Sequence, residues 1–262
     1  MQWSAGQLRI SQDCLAEETP IALIYNGVSH AVMLATALDL EDFALGFSLS
    51  EGIVRDPSEL YSIEVQLQNN GIELHCNIAS ERFAQLKERR RTLAGKTGCG
   101  LCGAENLTQA MRYPPALTTR HQFEATSIAR GLQAIQAQQT LQQQTGATHA
   151  SAYVLADGAV RLVREDVGRH NALDKLIGAL AKLAGGQPLC HTAGFIITTS
   201  RASFEMVQKT ASAGLSMLVA VSAPTGLAVR VAEQCGLTLV GFARENRYVV
   251  YSHGDRILNQ SV

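Results

Sequence analysis

The chain has 262 residues, of which 46% are hydrophobic and 17% charged, and its formal net charge is −1. This balance indicates a globular protein with one large domain or two modest ones. The near-neutral charge argues against an electrostatic grip on nucleic acid. No stretch approaches the roughly 18 apolar residues of a membrane-spanning helix. The first residues show neither a basic start nor an apolar run, so no signal peptide is expected. Cysteines in such a chain are expected to be free thiols, ligands or catalysts in a reducing compartment, and we expect a cytoplasmic protein.

The first half of the sequence is typical of a β-rich domain with short helices. Asn-Gly pairs at 26–27 and 70–71 each separate two strand-like runs, which predicts two hairpins. Between the hairpins, Asp39 is expected to open an amphipathic helix over residues 40–50 that stops at Gly52.

A domain boundary is predicted in the middle of the chain. Pro114 and Pro115 begin a polar run that continues to Gln122. We therefore expect a smaller β-rich domain over residues 1–122 and a second domain over residues 123–262.

The second half alternates short apolar strands with helices. It opens with a glutamine-rich helix, expected from about residue 127 to 144 with a solvated face. The alternation that follows predicts a parallel sheet covered on both faces, which makes this half α/β and the whole chain α+β. Ligands of such sheets bind at the carboxyl ends of the strands, which here are residues 199–201, 222–224 and 242–244.

Two cysteines three positions apart, Cys99 and Cys102, carry the strongest chemical signal. Gly98, Gly100 and Gly103 surround them. Glycine tolerates many backbone conformations, so we expect a mobile loop and not a packed core. Nearby cations favour the reactive thiolate; those upstream are Lys87, Arg89, Arg90, Arg91 and Lys96.

Other uses of this pair fit the sequence less well. Structural zinc needs four ligands, and the chain has no second Cys-x-x-Cys and no His-x-His spacing; zinc shared between two chains stays open. A zinc deaminase would need a His-x-Glu motif, which no histidine here provides. A thioredoxin-like pair would open a helix beside a strand, whereas this pair is expected to follow a helix. A thiol oxidoreductase remains the stronger of these catalytic alternatives.

Three further stretches could carry chemistry. Residues 165–175 place a tight turn at a helix start, where backbone N–H groups attract anions, and include Asp166, His170 and Asp174. Residues 200–206 place Arg201 where a phosphate could dock. Residues 241–247 join two strands and offer forked arginine donors suited to phosphate or a guanine edge. Each stretch has a plain structural explanation as well: a buried His-Asp pair, a helix cap and a surface loop.

Taken together, these blocks resemble the formate dehydrogenase accessory sulfurtransferase family, FdhD. The matching stretches are residues 45–47, 50–52, 89–91, 97–103, 165–175, 200–209 and 239–242. They occur in order, and the resemblance extends from about residue 19 to about residue 256.

The resemblance implies a sulfur carrier. Such proteins accept sulfur from a cysteine desulfurase as a persulfide and pass it to the molybdenum cofactor in its bis(molybdopterin guanine dinucleotide) form, before that cofactor enters the formate dehydrogenase catalytic subunit. By position, Cys99 would bear the persulfide and Cys102 would assist or protect it. The resemblance further implies a second half like a cytidine deaminase, a three-layer fold, without zinc. The stretch implied to bind the cofactor is Phe242, Ala243, Arg244, Glu245, Asn246 and Arg247.

Two guanine dinucleotides are held more easily by two equivalent pockets, so we expect a homodimer. A free guanine nucleotide is expected to substitute for the cofactor. A cofactor-shielding chaperone without sulfur transfer is a third alternative, beside the sulfur carrier and the thiol oxidoreductase.

Overall fold

A computed structural model describes residues 1–4, 6–94, 112–119, 121–185 and 193–258. Within these residues, the first half forms six strands and two helices. In chain order these are β1 (Gln2–Ser4), β2 (Gln7–Arg9), β3 (Thr19–Tyr25), β4 (Val28–Ala35), α1 (Leu40–Ser50), a 3-10 turn (Pro57–Glu59), β5 (Leu60–Gln68), β6 (Gly71–Ile78) and α2 (Ser80–Ala94).

Both predicted hairpins are confirmed. The β3–β4 pair is antiparallel and turns at Asn26-Gly27, as predicted. The β5–β6 pair is also antiparallel, but it turns at Asn69-Asn70, one residue before the predicted position, because Gly71 already pairs with Gln68. Asn26 and Gly27 both have positive φ, as a tight two-residue turn requires. β3 pairs in parallel with β6, which gives a four-stranded sheet in the order β4-β3-β6-β5. The predicted α1 is confirmed over Leu40–Ser50, with Asp39 at its N-cap and Glu51 at its C-cap; Gly52, the predicted stop, follows with φ +55°.

The second half forms eight strands and five helices within the described residues. In chain order these are β7 (Phe123–Glu124), α3 (Ala125–Gln138), α4 (Thr140–Thr145), β8 (His149–Leu155), β9 (Val160–Asp166), α5 (Arg169–Leu183), β10 (Gly194–Thr198), α6 (Phe204–Ser212), β11 (Met217–Ala220), α7 (Gly226–Cys235), β12 (Thr238–Arg244), β13 (Arg247–Ser252), a 3-10 turn (Gly254–Arg256) and β14 (Ile257–Leu258).

The main sheet of the second half is mixed, so the prediction of a parallel sheet is wrong for half of its strands. Its order is β13-β12-β11-β10-β8-β9. Only the β10–β11 and β11–β12 pairs are parallel, because helices α6 and α7 cross between these strands. The β8–β9 and β12–β13 pairs are antiparallel, since tight turns join them, and β8 is antiparallel to β10.

The predicted glutamine-rich helix over residues 127–144 is two helices. α3 ends at Gln138 and α4 begins at Thr140, because Gln139 has a non-helical backbone with φ −84° and ψ 73°. The break changes the direction of the chain beside the sheet edge where β8 begins.

Helices cover both faces of the main sheet, as predicted. One face packs with α5, α6 and α7 around Leu176, Met206 and Val231. The other packs with α3 around Ile128 and Phe195. The predicted α/β class is therefore confirmed. The likeness to cytidine deaminases in particular stays a prediction.

Helix α1 of the first half packs directly on helix α5 of the second. Gly46 and Gly178 lie at the crossing, where a Cβ on Gly46 would stand 1.7 Å from the Asp174 carbonyl oxygen and one on Gly178 would stand 2.0 Å from that of Asp42. Backbone therefore meets backbone at this crossing. The two halves are thus in close contact, and the domain boundary near residue 122 stays a prediction.

Candidate functional site

The turn between β12 and β13 lies where the sequence predicted a ligand edge. The register shifts between Gly241 and Arg244, so that β12 carries a bulge. Phe242 within the bulge has φ +51°, a conformation that bulky residues rarely adopt. Its ring is 47% exposed, whereas Ala243 is buried. Bulges of this kind occur beside active sites, where they redirect side chains.

Two arginines of this turn present free positive charge. The Arg244 Nη1 donates to the carbonyl oxygens of Val221, at 2.6 Å, and of Ala243, at 2.8 Å, which fixes the direction of its guanidinium. Arg247 is exposed. In the described part of the chain neither arginine forms an ion pair. Both are thus open to an anionic ligand.

A pocket of about 840 Å³ opens beside the turn. Five of the six predicted cofactor residues line it: Ala243, Arg244, Glu245, Asn246 and Arg247. The sixth, Phe242, lines a smaller hollow of about 300 Å³ together with Arg244, Arg247, Tyr248 and Val249. The ends of β10 and β11 contribute Thr199 and Val221 to the larger pocket, as expected for the carboxyl edge of parallel strands.

The opposite wall of the larger pocket comes from α3, α4 and the start of β8. Its members are Leu132, Ile135, Gln136, Gln139, Gln142, Gly146, Ala147, Thr148 and His149. The Glu165 carboxylate accepts from the backbone N–H groups of Leu141 and Gln142, both at 2.9 Å, and so caps the start of α4. It also accepts from the Thr148 hydroxyl at 3.1 Å. Glu165, from the predicted stretch 165–175, thereby fixes this wall.

His149 contributes a neutral ring to the pocket. Burial of the ring, and then the nearby Arg169 guanidinium, lower the pKa of His149 below its ordinary value. The imidazole is therefore uncharged at neutral pH and leaves the positive charge of the pocket to the arginines. A neutral imidazole can both donate and accept a hydrogen bond.

Asp166, whose role the sequence left open, is a buried structural group. It is fully buried and pairs with Lys175 at 2.7 Å, where both side chains are inaccessible. It also accepts from the backbone N–H groups of Thr36 and Gly168 and from the Asn171 amide. These contacts hold the start of α5 against the end of β4.

A second buried charge cluster joins α1, α5 and α6. The Lys209 Nζ lies 3.0 Å from both Asp174 oxygens and 2.8 Å from the Glu51 carboxylate, and it donates to the Ser50 hydroxyl at 2.9 Å. Burial alone would lower the pKa of Lys209, but the Asp174 and Glu51 carboxylates raise it above its ordinary value. The lysine is therefore charged and stabilises both carboxylates.

His170 does not pair with Asp174, the partner that their spacing suggested. Its Nε2 lies 2.7 Å from the Glu205 carboxylate and 3.4 Å from the Ser203 hydroxyl. Burial first, and then Arg169 and Lys209, lower the pKa of His170, although Glu205 opposes them. Arg201 is exposed at the end of β10.

Cys99 and Cys102 lie outside the described residues, so the predictions of a mobile loop and of an activated thiol stay predictions. The described chain on either side of them is anchored at one place, the end of α1. The Arg89 Nη1 donates to the Gly52 carbonyl at 3.1 Å, and Arg112 donates to the Glu51 carbonyl. Tyr113 contacts the Phe204 ring at the start of α6, with ring centroids 6.1 Å apart.

The described cysteines differ in their access to reagents. Burial raises the pKa of Cys76 to about 12, and burial also raises the pKa of Cys235. Cys14 is exposed. The two buried thiols are therefore unreactive.

Metal-binding clusters and membrane-spanning helices are both absent from the part of the chain that the structure describes. Among the residues that the structure describes, no group of three or more histidine, cysteine, aspartate or glutamate side chains is arranged to hold a metal ion. No helix in those same ranges is long and apolar enough to cross a membrane.

Sequence reasoning missed the wall formed by α3 and α4. It assigned the glutamines of residues 127–144 to a solvated face, and yet Gln139 is 7% exposed and lines the pocket with Gln136 and Gln142. The only local signal was Thr140, a residue type favoured where helices start.

Comparison with known proteins places the chain in a family. The model of the FdhD/NarQ family matches residues 16–258. A protein of Cupriavidus necator named sulfur carrier protein FdhD is 56% identical over 99% of this chain and 89% of its own length. One of the same name from Bordetella petrii is 52% identical over 94% of this chain and 87% of its own length.

A solved structure shares the fold. It is described as a formate dehydrogenase accessory protein of Desulfotalea psychrophila, and it superposes with a TM-score of 0.71 at 23% identity, covering 94% of this chain and 91% of the other. With a family model that spans most of its length and relatives more than half identical to it, the chain belongs to the FdhD/NarQ family.

Proposed function

We propose that this protein is a sulfur carrier for formate dehydrogenase maturation. It takes sulfur from a cysteine desulfurase as a persulfide on Cys99 and passes it to the molybdenum cofactor in its bis(molybdopterin guanine dinucleotide) form. The catalytic subunit of formate dehydrogenase then receives the cofactor. The name of the relatives, sulfur carrier protein FdhD, supports the first part of this proposal.

The observation that carries the proposal is the pocket at the β12–β13 turn. Five of the six residues that the resemblance assigns to the cofactor line one pocket. The pocket presents two unpaired arginines, whose forked donors suit a diphosphate. Its volume of about 840 Å³ lies in the range of small-molecule sites.

The sulfur chemistry proceeds through two displacements. The Cys99 thiolate attacks the outer sulfur of the desulfurase persulfide; the sulfur–sulfur bond there breaks and the desulfurase cysteine leaves as a thiolate. Release of the sulfur to the cofactor as sulfide needs two electrons. Cys102 supplies them by attacking Cys99, which closes a disulfide between the two cysteines as the sulfide leaves.

Mass spectrometry tests the carrier role. After incubation with a cysteine desulfurase and cysteine, the peptide that contains Cys99 is expected to gain about 32 Da, one sulfur atom. Cys99→Ala should abolish both the adduct and formate dehydrogenase maturation, whereas Cys14→Ala, at the exposed cysteine far along the chain, should change neither. Maturation that survives Cys99→Ala would favour a cofactor-shielding chaperone, and reduction of a model disulfide without any adduct would favour a thiol oxidoreductase.

Binding of GDP tests the pocket. Arg244→Ala and Arg247→Ala are each expected to weaken GDP about tenfold or more, because each removes a charge-assisted contact to a phosphate. Arg230→Ala is the matched control, since Arg230 is an exposed arginine of α7 outside the pocket. If all three variants bind GDP with the same affinity, the phosphates of GDP do not bind at this turn.

The proposal extends to the oligomeric state of the protein and to its location in the cell. We propose a cytoplasmic homodimer with no zinc, in which each subunit offers one pocket to one guanine dinucleotide. Sedimentation with and without GDP tests the dimer, and a monomer at micromolar concentration in both conditions would contradict it.

A further inference from the structure

Gln139 is a largely buried polar side chain at the pocket. It is 7% exposed and lines the pocket. Within the described residues its carboxamide forms no hydrogen bond, although its backbone carbonyl accepts from Gln143 at 3.0 Å. Its oxygen and nitrogen are not sealed off from the pocket. Because these atoms are accessible from the pocket, the carboxamide is free to bond to a ligand there, and a ligand that displaces water must supply those bonds.

Gln142, on the same wall, presents a donor in a fixed direction. Its Oε1 accepts from the Thr148 backbone N–H at 2.8 Å and from the Thr148 hydroxyl at 3.4 Å. Since the backbone N–H only donates, the amide orientation is set, and the Nε2 group is left for the pocket. Its N–H groups can meet a carbonyl oxygen but not another amino group.

The surroundings of the two carboxamides suit a flat ring. Leu132 and Ile135 on α3 give this wall an apolar surface, while the arginines lie across the pocket on the β12–β13 turn. Glu165 holds the start of α4 through two backbone N–H groups. Gln142 therefore lies on a helix whose start is fixed, and the arginines that would bind an anion line the same pocket.

From this arrangement we infer that Gln139 and Gln142 read a lactam edge, the ring carbonyl with its neighbouring ring N–H. Guanine and pterin share this edge. The Gln142 amide donates to the ring carbonyl, and the Gln139 carboxamide accepts from the ring N–H. Adenine offers an amino group and a bare ring nitrogen instead, so the fixed Gln142 donor rejects it. This inference rests on the proposed cofactor pocket and adds to it the residues that select the base.

The test compares Gln139→Met with Gln138→Met in calorimetric titrations. Methionine keeps the size of glutamine but cannot make the bonds, and Gln138 is an exposed neighbour outside the pocket. The probes are GDP, ADP and 6-hydroxymethylpterin. The native protein should prefer GDP to ADP about tenfold or more. Gln139→Met should lose about tenfold in affinity for the ligand it reads, as expected for lost hydrogen bonds, and Gln138→Met should lose nothing.

Melting of the ligand-free protein separates recognition from a structural role. Gln139→Met should melt close to the native temperature, because the Gln139 carboxamide forms no hydrogen bond with the described residues that the variant could lose. Loss of GDP affinity alone would identify guanine as the base, and loss of pterin affinity alone would identify the pterin; either result supports the inference.

Three results would overturn the inference. Native GDP and pterin affinity in Gln139→Met would overturn it and leave the proposed cofactor pocket standing. A marked fall in melting temperature with equal losses for GDP and ADP would also overturn it, as a structural effect. Absence of binding of both GDP and the pterin to the native protein would overturn it together with the proposed pocket.

Discussion

Replacing Gly46 with alanine tests the crossing that joins the two halves of the molecule. The added Cβ would lie 1.7 Å from the Asp174 carbonyl oxygen, whereas real Cβ atoms stay beyond 3.0 Å. The obstacle is backbone, so α1 and α5 would have to separate by more than 1 Å. Overpacking costs about 1–3 kcal/mol or more. Alanine returns about 1 kcal/mol of helix propensity, but separation would also strain the 2.6 Å bond from Ser50 to Asp174. We expect a net loss of about 2 kcal/mol.

Urea denaturation followed by circular dichroism measures this loss. Gly226→Ala is the matched control, because its Cβ would meet only the Arg230 side chain, at 3.6 Å; it should stay within about 0.5 kcal/mol of the native protein. Gly178→Ala should behave like Gly46→Ala. The double variant should lose less unfolding free energy than the two single variants together, because helices that one methyl group has already separated have room for the second. A Gly46→Ala protein within about 1 kcal/mol of the native stability would refute the close crossing.

Three other changes test separate parts of the structure. Lys209→Met should destabilise by about 3–5 kcal/mol in urea because it leaves the buried Asp174 charge unpaired, and adding Asp174→Asn should recover much of the loss; no recovery would contradict the ion pair. Thr225→Ala should cost about 1 kcal/mol, since its side chain caps α7 by accepting from the Ala228 N–H, and an unchanged melting temperature would argue against that cap. The Arg82 hydrogen bond is the main cause that lowers the pKa of Glu59 from 4.5 to about 2; its stabilising effect is therefore present above pH 4.5 and is lost as the pH falls towards 2. Glu59→Gln should accordingly reduce the dependence of the melting temperature on pH between 5 and 2, and an unchanged profile would contradict this assignment.

Local signals predicted much of the fold. Asn26 and Gly27 have the positive φ that a two-residue hairpin needs, so the first hairpin was predictable in detail. The second Asn-Gly pair predicted a hairpin, but its turn lies one residue earlier, at Asn69-Asn70. The short apolar strands separated by α6 and α7 predicted the parallel core of the main sheet. The antiparallel strands at its edges follow from tight turns. The sequence predicts that the turn at Glu245-Asn246 joins two strands, but a turn this short also makes β13 antiparallel to β12, and that consequence was missed.

The candidate site was predictable only where residues adjacent in sequence act together. The cofactor stretch is continuous, so its members arrive at one pocket as a block. The opposite wall depends on contacts distant in sequence. Glu165 caps a helix that begins 25 residues before it, and Asp166 meets Thr36 across 130 residues. The break at Gln139 lacks a glycine or proline, so its cause lies in that tertiary contact and not in local propensity.

A crystal structure with GDP bound tests the central claim most directly. The account predicts the diphosphate against Arg244 and Arg247, inside the pocket of the β12–β13 turn. Electron density for GDP at any other place on the protein, or an empty pocket at a concentration that saturates binding in solution, would contradict it.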